Sequence, residues 1–182
     1  LTEADMRGIS SHGVARMYVY CERIKNGLIN KNPNIRILKE TPAILHIDAD
    51  HPDGAVAGTF AMQKCIEKAK ISGMTMASVK NSNHFGYAAY FAKMALDHDM
   101  IGVTISSAPS TMAPYGGIEK IIGTNPFAFA VPAVKHFPII HDCATSFVAR
   151  GKLSLAEIEG RSIPDGWAMD EFGRPTNNPS AG

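Results

Sequence analysis

The chain has 182 residues, of which 45% are hydrophobic and 19% are charged, and its 18 basic side chains nearly balance its 17 acidic ones. This composition is typical of a globular protein of one domain or a compact pair of domains. The balanced charge and the lack of a basic stripe disfavour nucleic acid as a partner, and no apolar run approaches the ~20 residues of a membrane-spanning helix.

The first half of the chain alternates amphipathic helices with short strands. Apolar residues at spacings of three and four indicate helices, and alternating apolar residues indicate half-buried strands. Gly27 and Gly73 follow the two helical patterns and are typical helix ends. The predicted elements are a helix at 14–27, strands at 35–38 and 44–47, and a helix at 59–72.

The second half continues the alternation, interrupted by a region rich in proline and glycine. Alternating strands and helices indicate an α/β layer. Beyond Gly160 the chain is polar, and we expect it to be irregular. The predicted elements are a strand at 74–79, a helix at 87–96, strands at 101–106, 127–131 and 138–140, and a helix at 147–159.

The cysteines and the chain ends lead to two further expectations. Cys21, Cys65 and Cys143 are far apart and odd in number, so neither a disulfide framework nor a zinc motif fits, which favours a reducing cytosol. The chain starts without methionine and ends on a polar stretch, so we expect a piece of a longer protein that is cut at both ends.

Residues 10–16 read Ser-Ser-His-Gly-Val-Ala-Arg. Histidine exchanges protons near neutral pH, and arginine binds a carboxylate through two parallel hydrogen bonds. If a helix starts at Val14, then Arg16 lies about one turn from His12 and both side chains face one pocket. This pattern predicts chemistry on a small carboxylic acid whose neighbouring group exchanges a proton. The alternative is that the two serines only cap a helix.

A second polar segment, residues 81–86, lies between a predicted strand and a predicted helix. Ligands bind at the carboxyl ends of strands in open α/β sheets, where such loops gather. Ser82 and Asn83 offer hydrogen bonds, and His84 is a second titratable group. The alternative is again a helix cap.

Two later loops complete the set. Residues 112–117 and 123–126 are rich in glycine, which lets a backbone approach a ligand closely. Residues 142–146 combine small polar side chains that suit phosphate, while Asp142 suits the orientation of a histidine. Thr145 or Ser146 capping a helix is the alternative. Neither a G-x-G-x-x-G nor a P-loop motif is present.

In their order and spacing, these segments resemble the type-2 malate/L-lactate dehydrogenases, a family of NAD(P)-dependent 2-oxoacid oxidoreductases. Each motif is weak alone, but the ordered set is specific and extends over nearly the whole chain. The segments that carry the resemblance are 5–16, 23–27, 82–86, 113–117, 123–126 and 142–146.

The resemblance implies an α/β (α+β) fold with a mixed, largely antiparallel sheet and flanking helices, unlike the Rossmann fold. It also implies a homodimer with active sites near the subunit interface. Residues 1–58 would form an N-terminal helical, substrate-side region with short strands, and residues 59–182 would form a dinucleotide-binding region that lacks the C-terminal part of the family fold. Relatives usually carry a glycine-rich turn where this chain has residues 51–55.

The resemblance also implies roles for individual residues. His12 matches the acid/base histidine, with Ser11 as its hydroxyl neighbour and His84 as the alternative acid/base group. Asp142 matches an aspartate that supports the acid/base group. The residues implied for substrate binding are Arg16 and Thr124. The residues implied for the cofactor side are Ser82, Asn83, His84, Asn125, Asp142, Cys143, Ala144, Thr145 and Ser146.

The function that follows is reversible hydride transfer between NAD or NADP and C2 of a small 2-hydroxy or 2-oxo acid, without a metal. The identity of the acid and the choice between NAD and NADP stay open. Two alternatives remain. One is a catalytically inactive assembly domain of the same fold. The other is a hydrolase using Ser11 or Ser82, which is disfavoured because no G-x-S-x-G elbow is present.

Overall fold

A computed structural model describes residues 1–181 of the chain. Their packing forms two units that interleave along the sequence. The first unit contains Leu1–Thr104 and Ala128–His141, and the second contains Ile105–Phe127 and the segment from Asp142 onward. The regions expected from the sequence divide the chain by ligand, with the substrate side at 1–58 and the dinucleotide side at 59–182. That division stays a prediction.

The α-helices follow the predicted positions, with one unpredicted helix near the start of the chain. They are α1 (Thr2–Met6), α2 (Met17–Lys25), α3 (Gly54–Ser72), α4 (Ala88–Lys93) and α5 (Arg150–Ile158). Short 3₁₀ turns lie at Ser10–His12, Val14–Arg16, Leu96–His98 and Pro179–Ala181.

Strands form two three-stranded sheets and one hairpin. The strands are β1 (Arg36–Glu40), β2 (Ile44–Asp48), β3 (Met76–Lys80), β4 (Gly102–Ile105), β5 (Phe127–Val131), β6 (Ile139–Cys143), β7 (Ala168–Met169) and β8 (Pro175–Thr176). The sheet orders are β1-β2-β3 and β4-β5-β6, and β7 pairs with β8.

The first sheet is mixed, because β2 pairs antiparallel with β1 and parallel with β3. Leu45 and Ile47 alternate along β2 and are fully buried, where they cluster with Ala61 of α3. A helix of 19 residues separates β2 from β3, as a parallel pair requires. The carboxyl ends of β2 and β3 therefore lie side by side, and the loop that contains His84 follows one of them.

Helix α3 begins five residues earlier than the sequence predicts. The carboxylate of Asp53 accepts a hydrogen bond from the Ala55 N–H (2.8 Å) and caps the helix. A Cβ on Gly54 would lie 2.3 Å from the backbone oxygen of Asn83, so the first turn of α3 packs directly against the loop that carries His84. Glycines at the start of the helix mask its periodic pattern. As predicted, the helix ends at Gly73, which is left-handed (φ 79°).

Small side chains build the second cluster of the first unit. Ala4, Ala88, Ala89 and Ala128 are buried together with the ring of Tyr87. In the strand β5, Ala128 and Ala130 are fully buried, and their neighbours are more exposed. This alternation matches the strand predicted at 127–131.

The second unit contains structure where the sequence predicts none. β7 and β8 form an antiparallel hairpin, and its turn is held by Asp170, whose Oδ1 accepts from the N–H groups of Phe172 and Arg174 (both 2.9 Å). The described chain beyond Gly160 is otherwise mostly irregular, as expected, and the hairpin escaped prediction because two-residue strands carry no readable alternation. The mixed first sheet and the flanking helices agree with the predicted α/β (α+β) class. None of the described helices has the length and apolarity to span a bilayer.

Candidate active site

The segment before α2 is built from two 3₁₀ turns rather than one helix. Ser10–His12 forms the first turn, Gly13 is extended (φ −89°, ψ −156°), and Val14–Arg16 forms the second. Neither serine caps a helix, because the N-cap of α2 is Arg16 and no side chain bonds there. The helical stretch therefore starts at Val14 as predicted, but its first turn is 3₁₀ and the α-helix begins only at Met17, and the alternative of a serine cap is wrong. The extended backbone of Gly13 separates the two 3₁₀ turns.

Two contacts link Ser11, His12 and Arg16 within this segment. The Ser11 hydroxyl lies 2.9 Å from Nδ1 of His12. Nε of Arg16 donates to the backbone oxygen of Ser11 (2.9 Å). The guanidinium is therefore anchored beside the histidine through one nitrogen. Its two terminal nitrogens carry the parallel donors that suit a carboxylate.

Asp5, a residue of α1, holds the segment 10–16 in place. Its carboxylate accepts from the backbone N–H of Val14 (2.8 Å) and lies so close to Gly13 that an added Cβ would be 1.7 Å from Oδ1. Alanine adopts the backbone angles of Gly13 without strain. The glycine is required because the Asp5 carboxylate occupies the space of a side chain.

His84 is held from two sides. Nδ1 accepts a hydrogen bond from the Gly86 N–H (3.3 Å), so the ring proton lies on Nε2. The Tyr20 hydroxyl, 2.7 Å away, therefore donates to the same Nδ1. Burial above all, and after it the positive charges of Arg16, His12 and Arg23, together lower the pKa of His84 to about 4. The ring is neutral at pH 7 and presents an N–H through Nε2.

The two histidines stack. Their ring centroids are 5.6 Å apart, and the planes are inclined by 26°. His12, Arg16 and His84 thus lie together within the first unit, as the sequence analysis requires of an acid/base group and a carboxylate-binding group. Tyr20 joins them from α2.

Asn83 holds the loop itself. Its Nδ2 donates to the backbone oxygens of Pro52 (2.9 Å) and His51 (3.2 Å), which precede α3. Asp50 and His51 both have left-handed backbones (φ 62° and 58°) although neither is glycine. This is the turn where the resemblance leads one to expect glycines. Ser82 is exposed, and its hydroxyl makes only a long contact (3.4 Å) with the Asn83 backbone.

Within the second unit, the segments around residues 124 and 145 pair with each other. The backbone N–H and the hydroxyl of Thr145 both donate to the backbone oxygen of Thr124 (2.8 and 3.1 Å). Asn125 is left-handed (φ 34°), and its Oδ1 accepts from the Ala108 N–H (2.9 Å). The Ser146 hydroxyl donates to the Val148 oxygen (2.9 Å). The cap predicted at Thr145 or Ser146 is wrong, because the N-cap of α5 is Ala149.

The predicted site residues thus fall into two groups. The first unit holds Ser11, His12, Arg16, Ser82, Asn83 and His84, and the second holds Thr124, Asn125, Asp142, Cys143, Ala144, Thr145 and Ser146. The sequence analysis missed Tyr20 and Arg23, which both act on His84. Their spacing from Arg16, four and seven positions, is the signal that places all three on one helix face.

Comparison with known proteins identifies close relatives. The chain is 44% identical over 178 residues to an L-sulfolactate dehydrogenase of Methanocaldococcus jannaschii, covering 98% of this chain and 52% of that protein. It is also 44% identical over 178 residues to a malate dehydrogenase of Pyrococcus abyssi, covering 98% of this chain and 49% of that protein. The chain therefore spans about half the length of the curated relatives it matches.

The fold agrees with these matches. A crystal structure of malate dehydrogenase from Entamoeba histolytica superposes with a TM-score of 0.92 at 38% identity, covering 97% of this chain and 49% of the other. The predicted non-Rossmann fold is confirmed by this similarity. The family model for malate/L-lactate dehydrogenase matches residues 1–182. The chain belongs to the malate/L-lactate dehydrogenase family.

Proposed function

We propose that the full-length protein transfers a hydride between NAD or NADP and C2 of a small 2-hydroxy or 2-oxo acid. One observation carries the proposal. A guanidinium is anchored to the Ser11 backbone (2.9 Å), and the hydroxyl of that serine contacts the imidazole of His12 (2.9 Å). A group that binds a carboxylate thus lies next to one that exchanges a proton, as a 2-oxo acid requires.

Arg16 binds the C1 carboxylate of the acid. Its Nε is occupied by the Ser11 oxygen, which fixes the plane of the guanidinium. The terminal nitrogens donate two parallel hydrogen bonds to the carboxylate. This grip orients C2, so the position of the reacting carbon is set by a residue bonded to the acid/base segment itself.

His12 moves the proton. Its Nδ1 faces the Ser11 hydroxyl (2.9 Å), and we therefore assign the exchange with the C2 oxygen to Nε2. In reduction the imidazolium donates from Nε2 as negative charge develops on that oxygen, while the Ser11 oxygen accepts from Nδ1–H. A positioned acid of this kind contributes roughly 10²–10⁴-fold to the rate.

His84 is a hydrogen-bond donor rather than the acid. Burial and nearby positive charge lower its pKa to about 4, so it carries little charge near neutral pH. Its Nδ1 already accepts from Gly86 and Tyr20, which keeps the proton on Nε2. A neutral N–H polarises a carbonyl oxygen without transferring its proton. This argues for His12 over His84 as the acid/base group.

The nicotinamide cofactor supplies or accepts the hydride when bound. Exposed hydroxyl and amide groups at Ser82 and Asn125, with the small polar residues 142–146, fit the amide and ribose parts of such a cofactor. Thr145 fits it less well, because both of its donors bond to Thr124. Thr124 stays a proposed substrate contact, and Asp142 a proposed support for the acid/base group. We assign Asn83 to positioning the loop.

The relatives support the class of substrate. They are named for sulfolactate and malate, which are both 2-hydroxy acids. NAD or NADP stays open, and so does the particular acid. The homodimer that the resemblance implies is part of the same proposal, and light scattering of the full-length protein in solution measures it.

The test is oxidation of NADH and of NADPH by the full-length protein with pyruvate or oxaloacetate. We expect His12→Asn to lower kcat by about 10²-fold or more, and His84→Asn to lower it less. Arg16→Lys should raise KM, because lysine lacks the planar fork. Near-normal turnover of His12→Asn would remove that residue from its role. Ester hydrolysis without 2-oxoacid reduction supports the hydrolase, and no saturable nicotinamide fluorescence supports the inactive domain.

A further inference from the structure

Within residues 1–181, Asp48 is the one acidic or basic residue that is buried, and it takes no part in the proposed hydride transfer. It is the last residue of β2, the strand that lies parallel to β3. The loop that carries His84 follows β3. Burying a carboxylate is costly unless polar groups satisfy it, so the partners of Asp48 show which parts of the chain it holds.

The two oxygens of this carboxylate face different groups. Oδ1 accepts hydrogen bonds from Nδ2 of Asn81 (3.0 Å) and from the Asp50 N–H (3.2 Å). Oδ2 faces the side-chain cations of Arg36 (3.4 Å) and Lys80 (3.9 Å). The hydrogen bond from Asn81 is the largest of the effects that hold the pKa of Asp48 below its ordinary value. Asp48 is therefore ionised near neutral pH, and one of its oxygens binds both loops that follow β2 and β3.

Both residues bound to Oδ1 have backbones that side chains other than glycine rarely adopt. Asn81 and Asp50 are left-handed, with φ angles of 53° and 62°. Asparagine and aspartate enter this region more readily than most residues, but the conformation persists only where the surrounding structure holds it. The Asp48 carboxylate holds it at both positions, through the side chain of Asn81 and through the backbone of Asp50.

Two further hydrogen bonds connect this constraint to the proposed site. The backbone oxygen of Asn81 accepts from the His51 N–H (2.7 Å), and the backbone oxygen of His51 accepts from Nδ2 of Asn83 (3.2 Å). Asn83 directly precedes His84 in the chain. The position of the His84 ring therefore depends on a series of contacts that begins at Asp48.

We propose that Asp48 is a positioning residue, which acts through Asn81 to fix the ring of His84 in the proposed site. That ring bonds to the hydroxyl of Tyr20 (2.7 Å) and stacks on the ring of His12, with 5.6 Å between centroids, so a shift of the loop changes both contacts. A misplacement of about 1 Å can lower a rate about 10²-fold. The effect on rate rests on the proposed function, whereas the environment of the ring is measurable without a substrate.

Two substitutions separate the hydrogen bond from the charge and from the backbone conformation. Asn81→Gly removes the donor, while glycine adopts the left-handed backbone without strain. Because Asn81 is exposed, this change leaves no cavity. Asp48→Asn keeps an acceptor oxygen for Asn81 and loses only the negative charge that faces Arg36 and Lys80. We therefore expect Asn81→Gly to disturb His84 and Asp48→Asn mainly to lower stability.

The measurements are the NMR titration of His84 and the kinetics of oxaloacetate reduction, both on the full-length protein well below the melting temperature of each variant. In Asn81→Gly, the pKa of His84 should rise from about 4 towards its ordinary value, because a displaced ring is less buried. We expect kcat to fall about tenfold, with a smaller effect on KM. Asp48→Asn should stay close to the wild type in both. Ser78→Ala, at an exposed position of β3, is the matched control.

Three results overturn the inference or separate it from the proposed function. A loss of stability in Asn81→Gly with an unchanged His84 titration and unchanged kcat would leave Asp48 a structural residue only. An equal disturbance of His84 in Asp48→Asn would mean that charge, and not the bond to Asn81, is what matters. If the wild type reduces no 2-oxo acid, the proposed function fails, and the titration still decides this inference. Asn81→Ser, whose side chain is too short to reach Asp48, repeats the test if the glycine variant does not fold.

Discussion

The hydroxyl of Tyr20 donates a 2.7 Å hydrogen bond to Nδ1 of His84, a residue 64 positions away. The Gly86 N–H donates to the same nitrogen (3.3 Å). Two donors on Nδ1 leave no place for a proton there, so they keep the imidazole neutral and keep its N–H on Nε2. The contact between α2 and the loop after β3 therefore fixes which ring nitrogen of His84 carries the proton, in a residue that burial already keeps neutral.

Replacing Tyr20 by phenylalanine tests this relationship. We expect the pKa of His84 to rise from about 4 towards its ordinary value, because a donor that favours the neutral ring is lost while burial remains. Histidine ring resonances followed by NMR as a function of pH measure the change. Tyr18→Phe is the matched control, since Tyr18 lies on the same helix and is 73% exposed. An unchanged titration of His84 in Tyr20→Phe contradicts the assignment.

The lowered pKa of His84 also predicts how stability depends on pH. The unfolded chain binds a proton at this residue near pH 6.5, and the folded chain binds it only near pH 4. The free energy of unfolding is therefore fully retained above about pH 6.5 and decreases as the pH falls towards 4. Because the ring is partly exposed, we expect a loss of about 2 kcal/mol over this window rather than the full linkage value.

Urea unfolding at about pH 7 and about pH 4.5 measures this loss. His84→Gln should remove most of the difference that is due to this residue, because glutamine does not titrate. His98→Gln, an exposed residue in a 3₁₀ turn, should leave the difference unchanged. A pH dependence that is the same in His84→Gln as in the wild type refutes the linkage.

The sequence could predict the helices and most strands because their apolar patterns are local. The strand at 127–131 was predicted at its observed limits, and Gly73 ends α3 as expected. The predicted start of α3 is later than the observed one, because glycines obscure the apolar periodicity of the first turn, where Asp53 caps the helix. The left-handed backbones of Asp50 and His51 could not be predicted from the sequence, since neither residue is glycine.

The candidate site was predictable only in part, for a similar reason. His12 and Arg16 lie in one short motif, so their residue types alone indicated proton exchange beside a carboxylate. In the sequence, Tyr20 is only one more apolar position of an amphipathic helix. Its contact with His84 could not be predicted because the two residues are distant in sequence. Contacts that link separate segments depend on the fold, and no local pattern encodes them.

The close contact between Asp5 and Gly13 predicts a non-additive pair of substitutions. A Cβ at position 13 would lie 1.7 Å from Oδ1 of Asp5, so Gly13→Ala must displace the carboxylate and break its 2.8 Å bond to the Val14 N–H. We expect Gly13→Ala to cost about 1–2 kcal/mol of unfolding free energy, and Asp5→Ala to cost a similar amount.

The double variant distinguishes this contact from a conformational effect. If the glycine is needed only for the Asp5 carboxylate, Gly13→Ala should cost almost nothing once Asp5 is alanine, and urea unfolding of the four proteins measures the coupling. Additive costs would mean that the backbone at position 13 requires glycine for another reason. Because His12 precedes this turn, kcat should fall in Gly13→Ala as well.

Asn83 and Ser82 are neighbours for which we predict opposite outcomes. The Asn83 amide donates to the backbone oxygens of Pro52 and His51 (2.9 and 3.2 Å), which ties the His84 loop to the start of α3. Asn83→Ala leaves these oxygens without that donor and should cost about 1–3 kcal/mol of unfolding free energy. Ser82→Ala removes an exposed hydroxyl and should change stability by less than about 0.5 kcal/mol.

The same two variants separate positioning from cofactor binding. Titration of the full-length protein with NADH, followed by nicotinamide fluorescence, should show weaker binding for Ser82→Ala if its hydroxyl contacts the cofactor. For Asn83→Ala the loss of stability should come with a lower kcat, since His84 is the next residue in the loop. Unchanged stability of Asn83→Ala with weakened NADH binding would instead return Asn83 to the cofactor side, because an amide that contacts the cofactor is not needed to hold the loop.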